Sequence, residues 1–351
     1  MPTHSLKKML DFKDFRFRCL HLDETIKFYT HCLNMNLEKK VNTSTRVYFY
    51  LRYQKGDCGI RFEYDLLLSS KLKQSKTPQV ATKPISECDM LFYVQGIDKI
   101  VEKVEVCKFS VFVPPENINH DTRSCVLVDP NGIRVRLVDC AHCLIESNSG
   151  ARLGNITVPV QEFHALNKTI SFYQSVFGKL SAELRSLHYR VKEKEPESHK
   201  QDVPSVAATI QGRSTRDSQP TRVPNCFGLQ DSETFVEDLT TFVWLGQRAR
   251  IMKATLCLRH IMTRENKADN LSSVFGGGHN SKERFFLGTT FTVQDLERSF
   301  NFLETQDMFP LQLSPISSTQ GLPRSYTFFD PAFVNVEVAD ESLSRNLHRH
   351  R

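Results

Sequence analysis

The feature that most limits what this chain can fold into is a recurring order of elements: a strand, a helix, then further strands, met four times along 351 residues. Residues 15–22 alternate apolar and polar positions, as a half-buried strand does. Asp23 and Glu24 then open a helix whose apolar positions Ile26, Tyr29, Cys32 and Leu33 fall at helical spacing. Arg46–Tyr53 and Cys58–Asp65 follow as strands around the turn Gln54-Lys55-Gly56-Asp57. The order returns with a strand at Asp89–Val94, a helix at Ile97–Val106, and strands at Ser124–Val128 and Ile133–Val138 flanking Asp129-Pro130-Asn131-Gly132. A third copy starts at Asn155–Val160, with a helix through Ile170–Phe177 and strands near Thr240–Leu245 and Arg250–Leu258. The fourth runs from Phe285–Val293 through the helix Gln294–Gln306 to Tyr326–Phe329 and Phe333–Val338. Four βαβββ units predict an α+β protein in which the units pair into two modules with curved mixed sheets.

The length suits two domains, placed at 13–140 and 154–340 with 141–153 as linker. Residues 66–87 and 263–284 read as loops. Residues 191–225, rich in Pro, Ser, Gln and charge without periodicity, read as a disordered insert. With 40% apolar and 25% charged residues and no apolar run near 18 residues, the chain is expected to be globular and without a membrane span. The net charge of +6 is spread over both halves with no basic block, which argues against nucleic acid. Met1–Leu10 carries no apolar signal segment, so the ten cysteines are expected as reduced thiols in a cytoplasmic protein.

Two segments carry a family pattern. Leu22-Asp23-Glu24-Thr25-Ile26-Lys27-Phe28-Tyr29 with Leu33-Asn34-Met35 resembles the first strand–helix junction of glyoxalase-type proteins. Val128-Asp129-Pro130-Asn131-Gly132-Ile133-Arg134-Val135-Arg136-Leu137 resembles their closing hairpin. The second half repeats both more loosely, as Thr169–Tyr173 with Phe177-Gly178 and as Asp330-Pro331 running into Val334–Val338. The chain therefore resembles the vicinal oxygen chelate superfamily: glyoxalase I, extradiol dioxygenases and fosfomycin-resistance proteins. That resemblance implies paired βαβββ units curling a sheet around a groove, with metal ligands, usually His, Gln or Glu, at four inward positions.

Aligned on the helix and the Asp-Pro turn, those positions fall on Asp14, Arg61, Asp89 and Arg136 in the first half. A guanidinium has no lone pair for a metal. Two acids and two arginines suggest instead a salt-bridge cluster where the metal would sit, the four converging on one groove. Strand alternation supports the register: Phe15, Phe17 and Cys19 oppose Asp14, Arg16 and Arg18; Ile60, Phe62 and Tyr64 oppose Arg61 and Glu63; Ile133, Val135 and Leu137 oppose Arg134 and Arg136. With Asp89 and Tyr93 added, the groove would carry five arginines against three acids and attract anions. Arg16, Arg18 and Arg134 are the candidate anion-binding residues; Arg18 also falls where the resemblance to glyoxalase I implies an arginine anchoring a glutathione carboxylate. The same pattern is open to a plainer reading, charges facing solvent on an open sheet.

In the second half the equivalent positions are Asn155, Thr255, Gly288 and Glu337, of which Glu337 is a candidate ligand, with Thr290, Thr292 and Asn335 beside it. A metal centre there would need distant residues such as His164 or His260. Cys140 and Cys143 have CxxC spacing without a second pair, Gly276-Gly277-Gly278 lacks the Lys-Ser/Thr of a phosphate loop, and His348 and His350 sit in a basic tail. Two functional readings remain open. One is a metal-free, non-catalytic binder of a small anionic molecule or a protein partner, with no cofactor. The other is a glyoxalase I-like lyase or a dioxygenase holding one divalent metal on Asp14, Glu63 and Asp89. The arginines at positions 61 and 136, which would repel a cation, favour the first.

Overall fold

The computed structural model describes residues 11–55, 57–67, 80–86, 88–140, 151–159, 168–169, 171–172, 183–189, 238–245, 255–262, 285–305, 312–319, 321–332 and 334–341; for 183–189, 238–245 and 255–262 this means the backbone. In the first unit β1 (Asp11–Cys19) leads into α1 (Leu22–Lys27), which continues as a π-helical turn (Phe28–Cys32), and then into β2 (Asn36–Asn42), β3 (Arg46–Arg52) and β4 (Gly59–Asp65). The second has β5 (Asp89–Val94), α2 (Ile97–Val106), β6 (Ser110–Asn119), β7 (Thr122–Val128) and β8 (Arg134–Cys140). The third contributes β9 (Ala151–Pro159), β10 (Glu183–Tyr189), β11 (Asp238–Leu245) and β12 (Thr255–Met262). The fourth contributes β13 (Phe286–Val293), α3 (Leu296–Glu304), β14 (Ser325–Phe329) and β15 (Asn335–Asp340).

The strands form two curved, unclosed mixed sheets. One runs β14-β15-β13-β1-β4-β3-β2, the other β10-β11-β12-β9-β5-β8-β7-β6. The first unit thus shares its sheet with the fourth, through antiparallel β1 and β13, and the second shares its sheet with the third, through antiparallel β5 and β9. This corrects the expectation that the four positions Asp14, Arg61, Asp89 and Arg136 converge on one groove: Asp14 and Arg61 lie in the first sheet, Asp89 and Arg136 in the second. The physical reason is that a βαβββ unit leaves its first strand with an open edge, and local sequence does not specify which other edge completes it.

Units one and two nevertheless share a core. Tyr29 packs on Phe62 of the first sheet, ring centroids 5.1 Å apart, and on Phe92 of the second, 6.4 Å apart. Phe15, Phe17, Phe28, Met90, Ile97, Val104, Leu137, Phe291, Leu296 and Val336 belong to the same buried cluster. The alternation read from the sequence decides this: the apolar faces of β1, β4, β5 and β8 meet the helices, and the charged faces turn away from them.

The two motif segments touch each other. Asp129 accepts the backbone N–H groups of Asn131 (2.9 Å) and Ile133 (2.8 Å), holding the turn that Pro130 and Gly132 (φ +85°) permit. Its other oxygen accepts the Tyr29 hydroxyl at 3.2 Å, and the Asn131 Oδ1 accepts Leu20 N–H at 2.7 Å. The closing turn of unit two is thereby bolted to the strand–helix junction of unit one. Asp330 makes the same turn in the fourth unit, accepting Ala332 and Val334 N–H groups. Two helix starts are satisfied by carboxylates: Asp295 caps α3 through Arg298 N–H, and Asp139 of β8 accepts Gly96 and Ile97 N–H groups at the start of α2.

Other differences from the sequence reading are local. Strands β2, β6 and β10 were not expected, and β9 starts at Ala151, inside the expected linker. Residues 191–225 and 263–284, His164, Cys143, His348 and His350 lie outside the described residues; His260 is described as backbone within β12. Among the described residues, no helix is long and apolar enough to cross a membrane.

Candidate functional site

The outer face of the seven-stranded sheet gathers charge from both of its units. Strand register aligns Glu337, Thr290, Asp14 and Gly59 in one row across β15, β13, β1 and β4. The next row passes through Gly288, Arg16, Arg61 and Tyr50. Asp14, Arg61 and Glu63 face away from the core and are still buried, with 2%, 4% and 5% exposure, so this face is a shielded concavity and not an open surface.

Within it, one Arg61 nitrogen lies 2.9 Å from Glu63 Oε1 and 2.5 Å from Glu337 Oε2. Arg16 Nε lies 3.1 Å from the same Glu63 oxygen and 3.5 Å from Glu337, while its Nη1 donates to Asn335 Oδ1 at 2.8 Å. Thr290 donates to Glu337 at 3.0 Å. The Arg61 guanidinium also lies over the Tyr48 ring, 5.8 Å from its centroid. A second pair sits alongside: Arg52 Nη2 donates to Asp14 at 2.7 Å and its Nε lies 2.6 Å from Glu38.

Electrostatics divides these groups. Burial disfavours the Glu337 carboxylate, but Arg61, Arg16 and the Thr290 hydroxyl overcome it and hold its pKa at about 2. Burial likewise opposes ionisation of Glu63, and the same two arginines bring it below the ordinary value. Asp14 goes the other way: burial outweighs Arg52 and Arg61, and its pKa is raised. Arg18, half-buried at the end of β1, has its charge disfavoured by burial and then by the neighbouring Arg46 guanidinium, with Asp65 and Glu63 opposing.

The eight-stranded sheet presents a different face. Asp89 on β5 and Arg134 on β8 are register partners and pair at 2.7 Å. Arg136 sits one row on, opposite Leu91 and Val126, in the row that also holds Asn155. Thr255 of β12 stands beside Asn155 in the register. Asn155 donates to Thr157 at 3.1 Å, and the Arg152 guanidinium lies over the Tyr93 ring, 5.1 Å from its centroid.

The sequence-derived positions are therefore regrouped. Asp14 and Arg61 stand with Gly288 and Glu337; Asp89 and Arg136 stand with Asn155 and Thr255. Arg16 and Arg18 share the first face, while Arg134 is on the second, so these three do not form one anion site. Asp14 and Glu63 are likewise on a different sheet from Asp89, and the three do not assemble as a single oxygen-ligand set. Arg46, Arg52 and Glu38 were missed. The alternating run Arg46, Tyr48, Tyr50, Arg52 held the signal for the two arginines, since Val47, Phe49 and Leu51 alternate with them as the wholly apolar face.

No family model matches the sequence, and no curated protein is similar to it in sequence. In structure it is similar to glyoxalase I from Zea mays, with a TM-score of 0.57 and 14% identity, covering 97% of this chain and 97% of that one. A point mutant of the same maize enzyme gives a TM-score of 0.56 and 15% identity, covering 97% and 95%. The fold is that of the vicinal oxygen chelate superfamily in its two-module form.

Proposed function

We propose that this glyoxalase-fold chain is a binder of a small anionic ligand whose ligand-equivalent positions no longer serve a metal. The observation that supports this most directly is the Arg61 guanidinium lodged between Glu63 and Glu337. Of the four positions brought together there, Gly288 has no side chain, Arg61 has no lone pair, Asp14 is engaged by Arg52, and Glu337 by Arg61. This donor set does not fit a divalent ion. A cation would have to displace a guanidinium from two carboxylates in a shielded site, against its Coulomb repulsion.

The anion is assigned to the lip of the same face, at Arg18 and Arg46. Arg46 already holds Glu63 at 3.5 Å and Asp65 at 4.0 Å, so the carboxylate is assigned chiefly to Arg18, whose charge burial and the Arg46 guanidinium disfavour. Elemental analysis of the purified chain, together with calorimetry using glutathione, its S-conjugates and simple carboxylates, tests both halves. The expected result is no stoichiometric divalent metal, and carboxylate binding that Arg18→Ala weakens by about tenfold, the size of one charge-assisted hydrogen bond. One zinc or nickel ion per chain with isomerase turnover would overturn the reading, as would binding indifferent to Arg18.

A further inference from the structure

The seam between the first two units brings two cysteines to one atom. Cys32 ends the π-helical turn after α1, and Cys107 caps the C-terminus of α2. The Lys103 carbonyl oxygen accepts the Cys107 N–H at 3.0 Å and the Cys32 thiol at 3.8 Å. That shared carbonyl places the Cys32 sulfur beside the backbone of Cys107. The end of α2 is fixed by its own cap: Lys108, at φ +61°, donates to Glu105, and Phe109 N–H to Val104. From the other side, Lys103 Nζ donates to Asn34 Oδ1 at 2.9 Å, holding α2 against the segment that follows Cys32. Both thiols are free.

We propose that Cys32 and Cys107 are an oxidisable pair that closes a reversible disulfide across the unit one–unit two seam, with a hydroperoxide as the oxidant. Their exposures differ in a way that assigns roles. Cys32 is fully buried and Cys107 is partly exposed, so Cys107 meets the oxidant. Its thiolate attacks one peroxide oxygen, the O–O bond breaks, and a sulfenic acid forms as hydroxide leaves. The Cys32 sulfur then attacks the sulfenic sulfur and loses its proton; the S–O bond breaks and water departs. The two thiols have lost two electrons and two protons, and one hydrogen peroxide has become two waters. Burial pushes the Cys32 thiol up to about 12, which keeps it protonated and unreactive until a sulfenic acid forms beside it.

The test uses the full, reduced chain treated with hydrogen peroxide, then alkylated and mapped by mass spectrometry without reductant. The expected product is one peptide pair joining Cys32 to Cys107, two mass units lighter than the dithiol and cleaved by dithiothreitol. Cys32→Ala should leave Cys107 as a sulfenic acid captured by dimedone, and Cys107→Ser should abolish the crosslink while the fold, read by circular dichroism, stays intact. In the unsubstituted chain, over-oxidation of Cys107 without a crosslink would overturn the proposal, as would an unchanged pair while other thiols react.

Discussion

Replacing Arg61 by Met removes the charge from the centre of the first sheet's outer face while keeping most of the side-chain volume. Two consequences follow from the contacts. Glu63 and Glu337 lose the nitrogen they share, at 2.9 and 2.5 Å, and keep Arg16 at 3.1 and 3.5 Å. The depression of Glu337 from 4.5 to about 2 corresponds to about 3 kcal/mol of folded-state stability at neutral pH. Breaking a buried pair from one side typically costs about 3–5 kcal/mol, so a loss near 3 kcal/mol is expected, with Arg16 holding it at the low end. The pH dependence changes sign as well. In the native chain Glu337 is lowered, so its contribution is present above its unfolded pKa near 4.5 and is lost as pH falls toward 2. Without Arg61, burial prevails and the carboxyl is raised; its stability contribution is then greatest when it is protonated and declines as pH rises. Urea denaturation from pH 4 to 7.5 reads this directly: the gap between Arg61→Met and the native chain should be widest at neutral pH and narrow toward pH 4. Adding Glu337→Gln should recover part of the loss. A variant as stable as the native chain at pH 7, or a gap that widens in acid, would refute the role assigned to the cluster.

Asp129 offers the opposite linkage. Burial raises its pKa to about 6 despite the hydrogen bonds from Asn131, Ile133 and Tyr29, so its contribution is full below the unfolded value near 4 and fades as pH rises through 6; Asp129→Asn should flatten that decline in denaturation curves, by up to about 3 kcal/mol between pH 4 and 7. Tyr29→Phe, which removes a buried hydroxyl from Asp129 and from the Met90 sulfur, should cost about 1 kcal/mol by urea midpoint, and an unchanged midpoint would count against the bolt between the two motifs. Gly288 has φ +136°, and a Cβ there would lie 1.9 Å from the Asn335 carbonyl oxygen; Gly288→Ala should cost more than about 4 kcal/mol and show as lost soluble yield, whereas a normally folded variant would contradict the β13–β15 approach.

What the sequence made legible was what neighbours in the chain determine. Alternation placed Phe15 and Phe17 inward and Asp14 and Arg16 outward because a strand's period is two, and the Asp-Pro turn followed from Asp129 bonding its own backbone two and four residues on. Two of the unexpected strands have poor local signals for physical reasons. β2 reads Asn-Leu-Glu-Lys-Lys-Val-Asn, and β6 carries Pro114 and Pro115 with several register shifts against β7. Both are sheet edges, where charge and proline prevent further pairing and disguise a strand as a loop. The partner of β1 is decided by contacts more than 260 positions away in the sequence, Asp14 to Thr290 among them, and no local pattern contains that choice.

Charge does contain part of it. On the outer face of the first unit, Arg16, Arg18, Lys39, Arg46, Arg52 and Arg61 stand against Asp14, Glu38, Glu63 and Asp65, an excess of two positive charges. The second unit's face brings Arg134 and Arg136 beside Asp89, with Glu116 further out on β6; the fourth unit's offers Glu337. A sheet made from units one and two would have confronted Arg16 and Arg61 with more guanidinium groups in a site where Arg61 is almost fully enclosed, and a buried charge without compensation is among the costliest arrangements a fold can adopt. Pairing with unit four brings one carboxylate to within 2.5 Å of Arg61 and reduces the positive excess of the face. By this reasoning Arg61 favours Glu337 as its neighbour over the alternative sheet. On that account Arg61→Met weakens the fold chiefly by stranding the carboxylates Glu63 and Glu337, while Glu337→Lys, which strands Arg16 and Arg61 among positive charge, should be the more damaging of the two.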